Sequence, residues 1–156
     1  MIYTAPVTIP DWGWEHSVFL AGTIDMGNSV DWQDETARTL DKFGFNVFNP
    51  RRHDWDSSWE QKIENEQFNK QVTWELDCLG RANYRIFNFV PGSQSPITLL
   101  ELGLYIDKPG TFVVCPEGFW RKGNVDIVSN RFGRKVYGSL DAALTELIRK
   151  YAHLTI

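Results

Sequence analysis

The feature that most constrains this chain is a repeated alternation of short apolar runs with longer stretches at helical spacing. Val18–Gly22, Phe45–Phe48, Tyr84–Val90, Thr111–Cys115 and Lys135–Tyr137 have the length and the β-branched or aromatic content of strands. Between the first two, residues 31–43 place Trp32, Ala37, Leu40 and Phe43 near one helical face and stop at Gly44. Residues 60–79 read as the longest helix. Ser95 can cap the next one, with Pro96 at its first position, where a missing N–H costs nothing. After an irregular segment through Gly133, Ser139 caps a last helix that runs to about Tyr151.

Strands that alternate with helices form βαβ units, and parallel strands need such crossovers. The predicted fold is therefore α/β: a flavodoxin-like three-layer sandwich whose five parallel strands, counted along the chain, take the order 2-1-3-4-5. A chain of 156 residues suits one domain over 1–156, with 1–16 as an irregular N-terminal segment. Sheets of this kind bind ligands outside the carboxyl ends of their strands. The loops after the first three predicted strands, and the helix starts that follow them, are the places to search.

Charge and cysteine usage narrow the function classes. A net charge of −4 and a pI near 5.3 argue against a nucleic-acid polymer or an anionic membrane as partner, and favour a small neutral ligand. No segment approaches the ~18 apolar residues that span a bilayer. The opening MIYTAPVTIPDWGWEHS lacks the basic start and apolar run of a signal peptide. Cys78 and Cys115 stand alone, and His16, His53 and His153 are scattered, so neither metal nor cofactor is expected. Two reduced thiols suit a cytoplasmic protein. The tryptophans (12, 14, 32, 55, 59, 74 and 120) fall mostly in or beside loops, where they can pack or stack on a flat ring.

Two carboxylates occupy apolar positions. The run from Ile97 to Ile106 has one ionisable residue, Glu101. An ionised carboxylate out of water costs several kcal/mol unless compensated, and a helix N-terminus returns only about 0.3–1 kcal/mol. In the long helix Phe68, Val72, Glu75 and Leu79 are spaced as a core-facing stripe, whereas Asp77 falls off it. Two simpler accounts stand beside a functional one: Glu101 held by hydrogen bonds in a structural role, and a register in which Glu75 leans out while Leu76 leans in. Two glutamates facing inward on helices that flank the third predicted strand would push each other's pKa values apart. One ionised and one protonated carboxyl group is what glycosidic cleavage needs.

Five segments together resemble the nucleoside 2'-deoxyribosyltransferase family, in its short, tryptophan-rich branch. They are V18-F-L-A-G-T23, N49-P-R-R-H-D-W-D56, Q71-V-T-W-E75 followed by A82-N83, T98-L-L-E-L-G103, and F119-W-R-K-G-N-V-D126. They occur in the family's order across most of the chain. The resemblance implies base exchange on 2'-deoxynucleosides with free nucleobases as partners, and a homo-oligomer whose active sites are shared between subunits. Carried over by position, Glu101 is the nucleophile that forms a deoxyribosyl-enzyme, and Glu75 is the acidic residue that helps the base depart and return. Asn124 reaches the 5'-hydroxyl from a neighbouring subunit. Gly22 lets backbone approach the ligand, with Ile24 and Asp25 beside it, while Arg52, Trp55 and Asp56 shape the base end. Ser95, also placed at the substrate, stands where many members carry aspartate, and Asn83 replaces another.

Two other readings share these residues. A hydrolase of 2'-deoxynucleoside 5'-phosphates would need an anion nest, for which Gly92–Ser95 at a helix start is a candidate, with Arg51 or Arg52 from the side. A non-catalytic nucleotide-sensing module would bind without chemistry.

Overall fold

The computed structural model describes residues 1–24 and 30–152. The strands are β1 (Ile2–Thr4), β2 (Ser17–Gly22), β3 (Asn46–Asn49), β4 (Tyr84–Asn88), β5 (Thr111–Val114) and β6 (Val136–Tyr137). The helices are α1 (Trp32–Lys42), α2 (Glu66–Arg81), α3 (Pro96–Tyr105), α4 (Lys122–Arg131) and α5 (Leu140–Tyr151), with a 3-10 turn at Asp11–Trp14. All pairings are parallel and the order is β1-β3-β2-β4-β5-β6. The five strands expected from sequence thus take the expected flavodoxin-like order, and β1 adds a sixth at the edge.

Strand alternation sorts the core into two layers. Phe19, Ala21, Phe48, Phe87 and Val113 pack with Trp74, Leu79, Leu102 and Val125 from α2, α3 and α4, and with Ile106 just after α3. Val18, Leu20, Val47, Ile86 and Val114 pack with Trp32, Ala37, Leu40, Ala143 and Leu147 from α1 and α5. Every central strand is therefore apolar on both faces, as a parallel sheet covered by helices requires.

Four local expectations need correction. The segment 1–16 is not irregular throughout. Ile2-Tyr3-Thr4, too short to show a period, becomes a strand by pairing with β3, and Tyr3 packs on Phe48. The long helix starts at Glu66 rather than at residue 60, because Asn65 caps it by accepting from the Phe68 N–H at 2.9 Å. Residues 122–131 are helical. Their Gly123, Asn124 and Ser129 are weak helix formers, and only Val125 and Ser129 are buried, so no apolar stripe betrays the helix. Ser95 holds the N-cap position of α3 in a left-handed conformation (φ 46°, ψ 52°), and its hydroxyl makes no cap bond.

The amino edge of the sheet is tied by polar contacts. Asn83 Oδ1 accepts from the Ser17 N–H at 2.9 Å, joining the starts of β2 and β4, so its part is local. Buried Arg85 donates to the carbonyls of Leu79, Ala82 and Pro109 and to Thr111 Oγ1. Burial without a carboxylate partner brings its pKa down to about 10.

Candidate active site

The carboxyl edge of the sheet reverses its winding between β2 and β4, the place where such folds leave a crevice. A chain of hydroxyls joins the two loops there. Thr23 Oγ1 accepts from the Val90 N–H at 3.1 Å and shares a 2.6 Å bond with Ser95 Oγ, which lies 3.0 Å from Ser93 Oγ. The Thr23 carbonyl accepts from Trp32 Nε1 at 3.0 Å, so Trp32 serves the loop as well as the core. Gly22 precedes this knot. A Cβ there would collide with the Asn88 carbonyl oxygen and lie 2.6 Å from the Trp32 ring, so the close approach Gly22 permits is first that of β2 to β4.

Beside this edge lie the two glutamates. Glu101, in the second turn of α3, is 8% exposed. Burial and the charge of Glu75 push its carboxyl up to about 8 from an ordinary 4.5. Glu75, in mid-α2, is partly buried, and desolvation pushes it up to about 7, against the lowering effect of a hydrogen bond from Gln71. Gln71 Nε2 donates to Glu75 Oε1 at 2.8 Å and to the Pro50 carbonyl at 3.0 Å. Leu76 is 38% exposed, so the helix turns Glu75 in and Leu76 out. The most deeply buried residues of α2 are Gln71, Trp74, Cys78 and Leu79; of the apolar residues in the expected stripe, Leu79 reaches the core, and Phe68 and Val72 are half-buried.

The remaining sequence candidates fall into three groups. Ser95, Gly22 and Ile24 sit at the β2–β4 crevice, and Asp25 lies outside the described residues. In the loop after β3, Arg52 makes a two-pronged bond to Asp54 and lies 5.0 Å over Trp59, which meets Trp55 edge-on at 4.9 Å. Asp56 is exposed and caps its own turn by accepting from the Ser58 N–H and hydroxyl, which hold its carboxyl below the usual range. Asn124 is exposed on α4.

Other aromatic and thiol groups serve packing. Trp74 donates to the Val7 carbonyl at 2.7 Å, and Trp14 stacks under Arg81 against Phe48. Half-exposed Trp120 donates to the Gln94 carbonyl at 2.9 Å and so braces the loop before α3. Cys78 and Cys115 are buried free thiols pushed up to about 12 and about 11 by burial, far from reactive. A surface groove of about 610 Å³ lies between Pro6 and the outer face of α2 at Asn69, Thr73 and Asp77, and neither Glu75 nor Glu101 lines it.

Sequence reasoning does not single out Gln71 or Thr23 as site residues. Gln71 lies four residues before Glu75 on one helix face, a spacing that brings side chains together. Thr23 gives no comparable signal, since its partners are 67 and 72 residues away.

A family model described as nucleoside 2-deoxyribosyltransferase like matches residues 15–119. The chain belongs to this nucleoside 2-deoxyribosyltransferase-like family. The match contains both glutamates, Gln71 and the hydroxyl chain, and ends before Asn124. No curated protein sequence matches the chain. Membership of a deoxyribosyltransferase-like family suggests an enzyme acting on nucleosides. Among the described residues no helix is long and apolar enough to cross a membrane.

Proposed function

We propose that the chain exchanges the base of 2'-deoxynucleosides through a covalent deoxyribosyl intermediate on Glu101. The observation that carries this reading is the pair of raised carboxyl groups, Glu75 and Glu101, beside the sheet's carboxyl edge. In ligand-free protein both carboxyl groups are raised and the pair titrates as a unit, so near neutral pH the two hold about one proton between them. As positive charge develops at C1' beside Glu101, ionisation there is favoured and the pair's remaining proton belongs on Glu75. Glu101 then attacks C1' as the C1'–N bond breaks. The bonding pair leaves with the base nitrogen, which takes the proton from Glu75. An incoming base reverses each step: it gives its proton to Glu75 as its nitrogen displaces Glu101 from C1'.

The apolar flank of α3 around Glu101 supports transfer over hydrolysis, since a dry intermediate survives until a base arrives. A 2'-hydroxyl in such surroundings would need a polar partner, which favours deoxyribose over ribose. Support for a nucleoside rather than a 5'-phosphate comes from the two arginines of the loop after β3, whose guanidinium groups are engaged by protein groups. Arg51 donates to the Val30 carbonyl and lies 3.8 Å from Asp31, while Arg52 is paired with Asp54.

An oligomer with shared sites belongs to the same reading. Asn124 is exposed on α4, suited to a neighbour's site. Ile97, Leu100 and Leu104 are each about 60% exposed at one-face spacing on α3, with Ile127 exposed on α4, leaving apolar surface for a second copy to cover.

Incubation with 2'-deoxyinosine, with and without adenine, tests the proposal. Transfer yields 2'-deoxyadenosine with total nucleoside conserved. Release of free deoxyribose at the same rate whether or not adenine is present would overturn it.

A further inference from the structure

The Gln71 amide has more to do than its two hydrogen bonds explain. The side chain is 4% exposed, and both hydrogens of Nε2 are committed, one to the Pro50 carbonyl and one to Glu75 Oε1. The Pro50 carbonyl can only accept, so it fixes which end of the amide faces it; turning the amide over would set oxygen against oxygen. Gln71 Oε1 therefore points away from both partners, and it is buried with no protein hydrogen-bond partner. A buried carbonyl left this way costs on the order of 1–3 kcal/mol, which native structures rarely accept without a use. Pro50 directly follows β3, so this acceptor sits at the carboxyl edge where ligands of the fold bind. It also lies one helical turn from Glu75, the group placed beside the base.

We propose that Gln71 is a base-recognition residue: its buried Oε1 accepts a hydrogen bond from an N–H donor on the nucleobase, while its Nε2 holds Glu75 in place. The inference rests on the base-exchange reading for the identity of the ligand. Two consequences follow from the geometry. Because Oε1 of Glu75 is occupied by Gln71, proton exchange with the base runs through Oε2. Because Oε1 of Gln71 can only accept, bases that offer an amino or ring N–H at this position are preferred over analogues that have lost it. A site built to hydrogen-bond a substrate N–H discriminates strongly, since the analogue leaves its buried acceptor unpaired.

The test measures binding in a Glu101→Gln background, where no turnover confuses the result. Two pairs of probes are compared by calorimetry. One is 2'-deoxyadenosine against purine 2'-deoxyriboside, and the other 2'-deoxycytidine against its analogue lacking the 4-amino group. With Gln71 present, the donor-bearing member of at least one pair binds about tenfold tighter or more. Adding Gln71→Met, which keeps the volume and removes the amide, brings that ratio to within about twofold. A preference that survives Gln71→Met, or no preference in either pair with Gln71 intact, overturns the inference. The comparison of ligands with Gln71 intact tests the inference even if Gln71→Met folds poorly. A Gln71-dependent preference in a protein whose wild type exchanges no bases would sink the transfer reading and leave this one standing.

Discussion

The charge of Glu75 on α2 raises the carboxyl pKa of Glu101 on α3, across two helices that follow different strands. Desolvation is the larger cause of each shift, so both groups lie well above the ordinary 4.5, at about 7 and about 8. A purely structural pair of glutamates would gain nothing from this arrangement. A pair that must hold one proton near neutral pH gains the right range.

The first consequence concerns stability. A carboxyl group whose folded pKa exceeds its unfolded value supports the fold fully below the unfolded pKa, and that support is lost as pH rises through the folded pKa. The ligand-free protein should therefore lose stability between about pH 5 and pH 9, the window set by these two groups. Glu101→Gln removes one ionisation, so it should match wild type near pH 5 and exceed it at pH 9 by several kcal/mol, each unit of the rise from 4.5 to about 8 being worth about 1.4 kcal/mol. Urea unfolding at the two pH values measures this, and a variant less stable than wild type at pH 9 would refute it.

Activity should depend on the same pair in a different way. Exchange needs one carboxylate and one carboxylic acid, so kcat/KM should trace a bell centred between about pH 7 and 8, the values of the pair. Below the bell both groups are protonated and no nucleophile exists; above it no acid remains. Glu75→Gln should lower kcat by about 100-fold or more and flatten the alkaline limb. Initial rates from pH 5 to 10 decide the matter, and an unchanged alkaline limb in that variant would remove Glu75 from the proton's path.

The bond between Thr23 and Ser95 gives a stability prediction of its own. Ser95→Ala removes the hydroxyl with which Thr23 Oγ1 shares its 2.6 Å bond, leaves the Val90 N–H donating to Thr23, and takes the 3.0 Å contact from Ser93 Oγ. The left-handed backbone at Ser95 is kept by either residue, so the loss is that of the hydroxyl. A cost on the order of 1–3 kcal/mol is expected in chemical denaturation. Stability within a few tenths of wild type would mean that the two loops are held by other means.

Much of this architecture is legible in the residues. The apolar runs from Val18, Phe45, Tyr84 and Thr111 are buried on both faces, and such runs carry their identity without tertiary help. Glu101 is legible for the opposite reason, as a charge that breaks an apolar helix. What escapes depends on contacts distant in sequence. Strand β1 exists through its pairing with β3, and α4 through burial of Val125 and Ser129 rather than through any stripe. Helix α2 begins at its Asn65 cap because capping decides where a periodic pattern starts. Ser95 reads as a cap because serine before proline so often is one; here its hydroxyl is drawn to Thr23 instead. The amide of Gln71 acquires its meaning only when Pro50 and Glu75 are seen to use both of its hydrogens.

The central claim is that Glu101 bonds to the sugar. Intact-mass analysis after mixing the protein with a 2'-deoxynucleoside, no acceptor base and a rapid acid quench tests it most directly. The expected result is a mass gain of one deoxyribosyl group, located on the peptide containing Glu101 and absent in Glu101→Ala. Full base exchange by Glu101→Ala, or an adduct that persists in that variant, would contradict it.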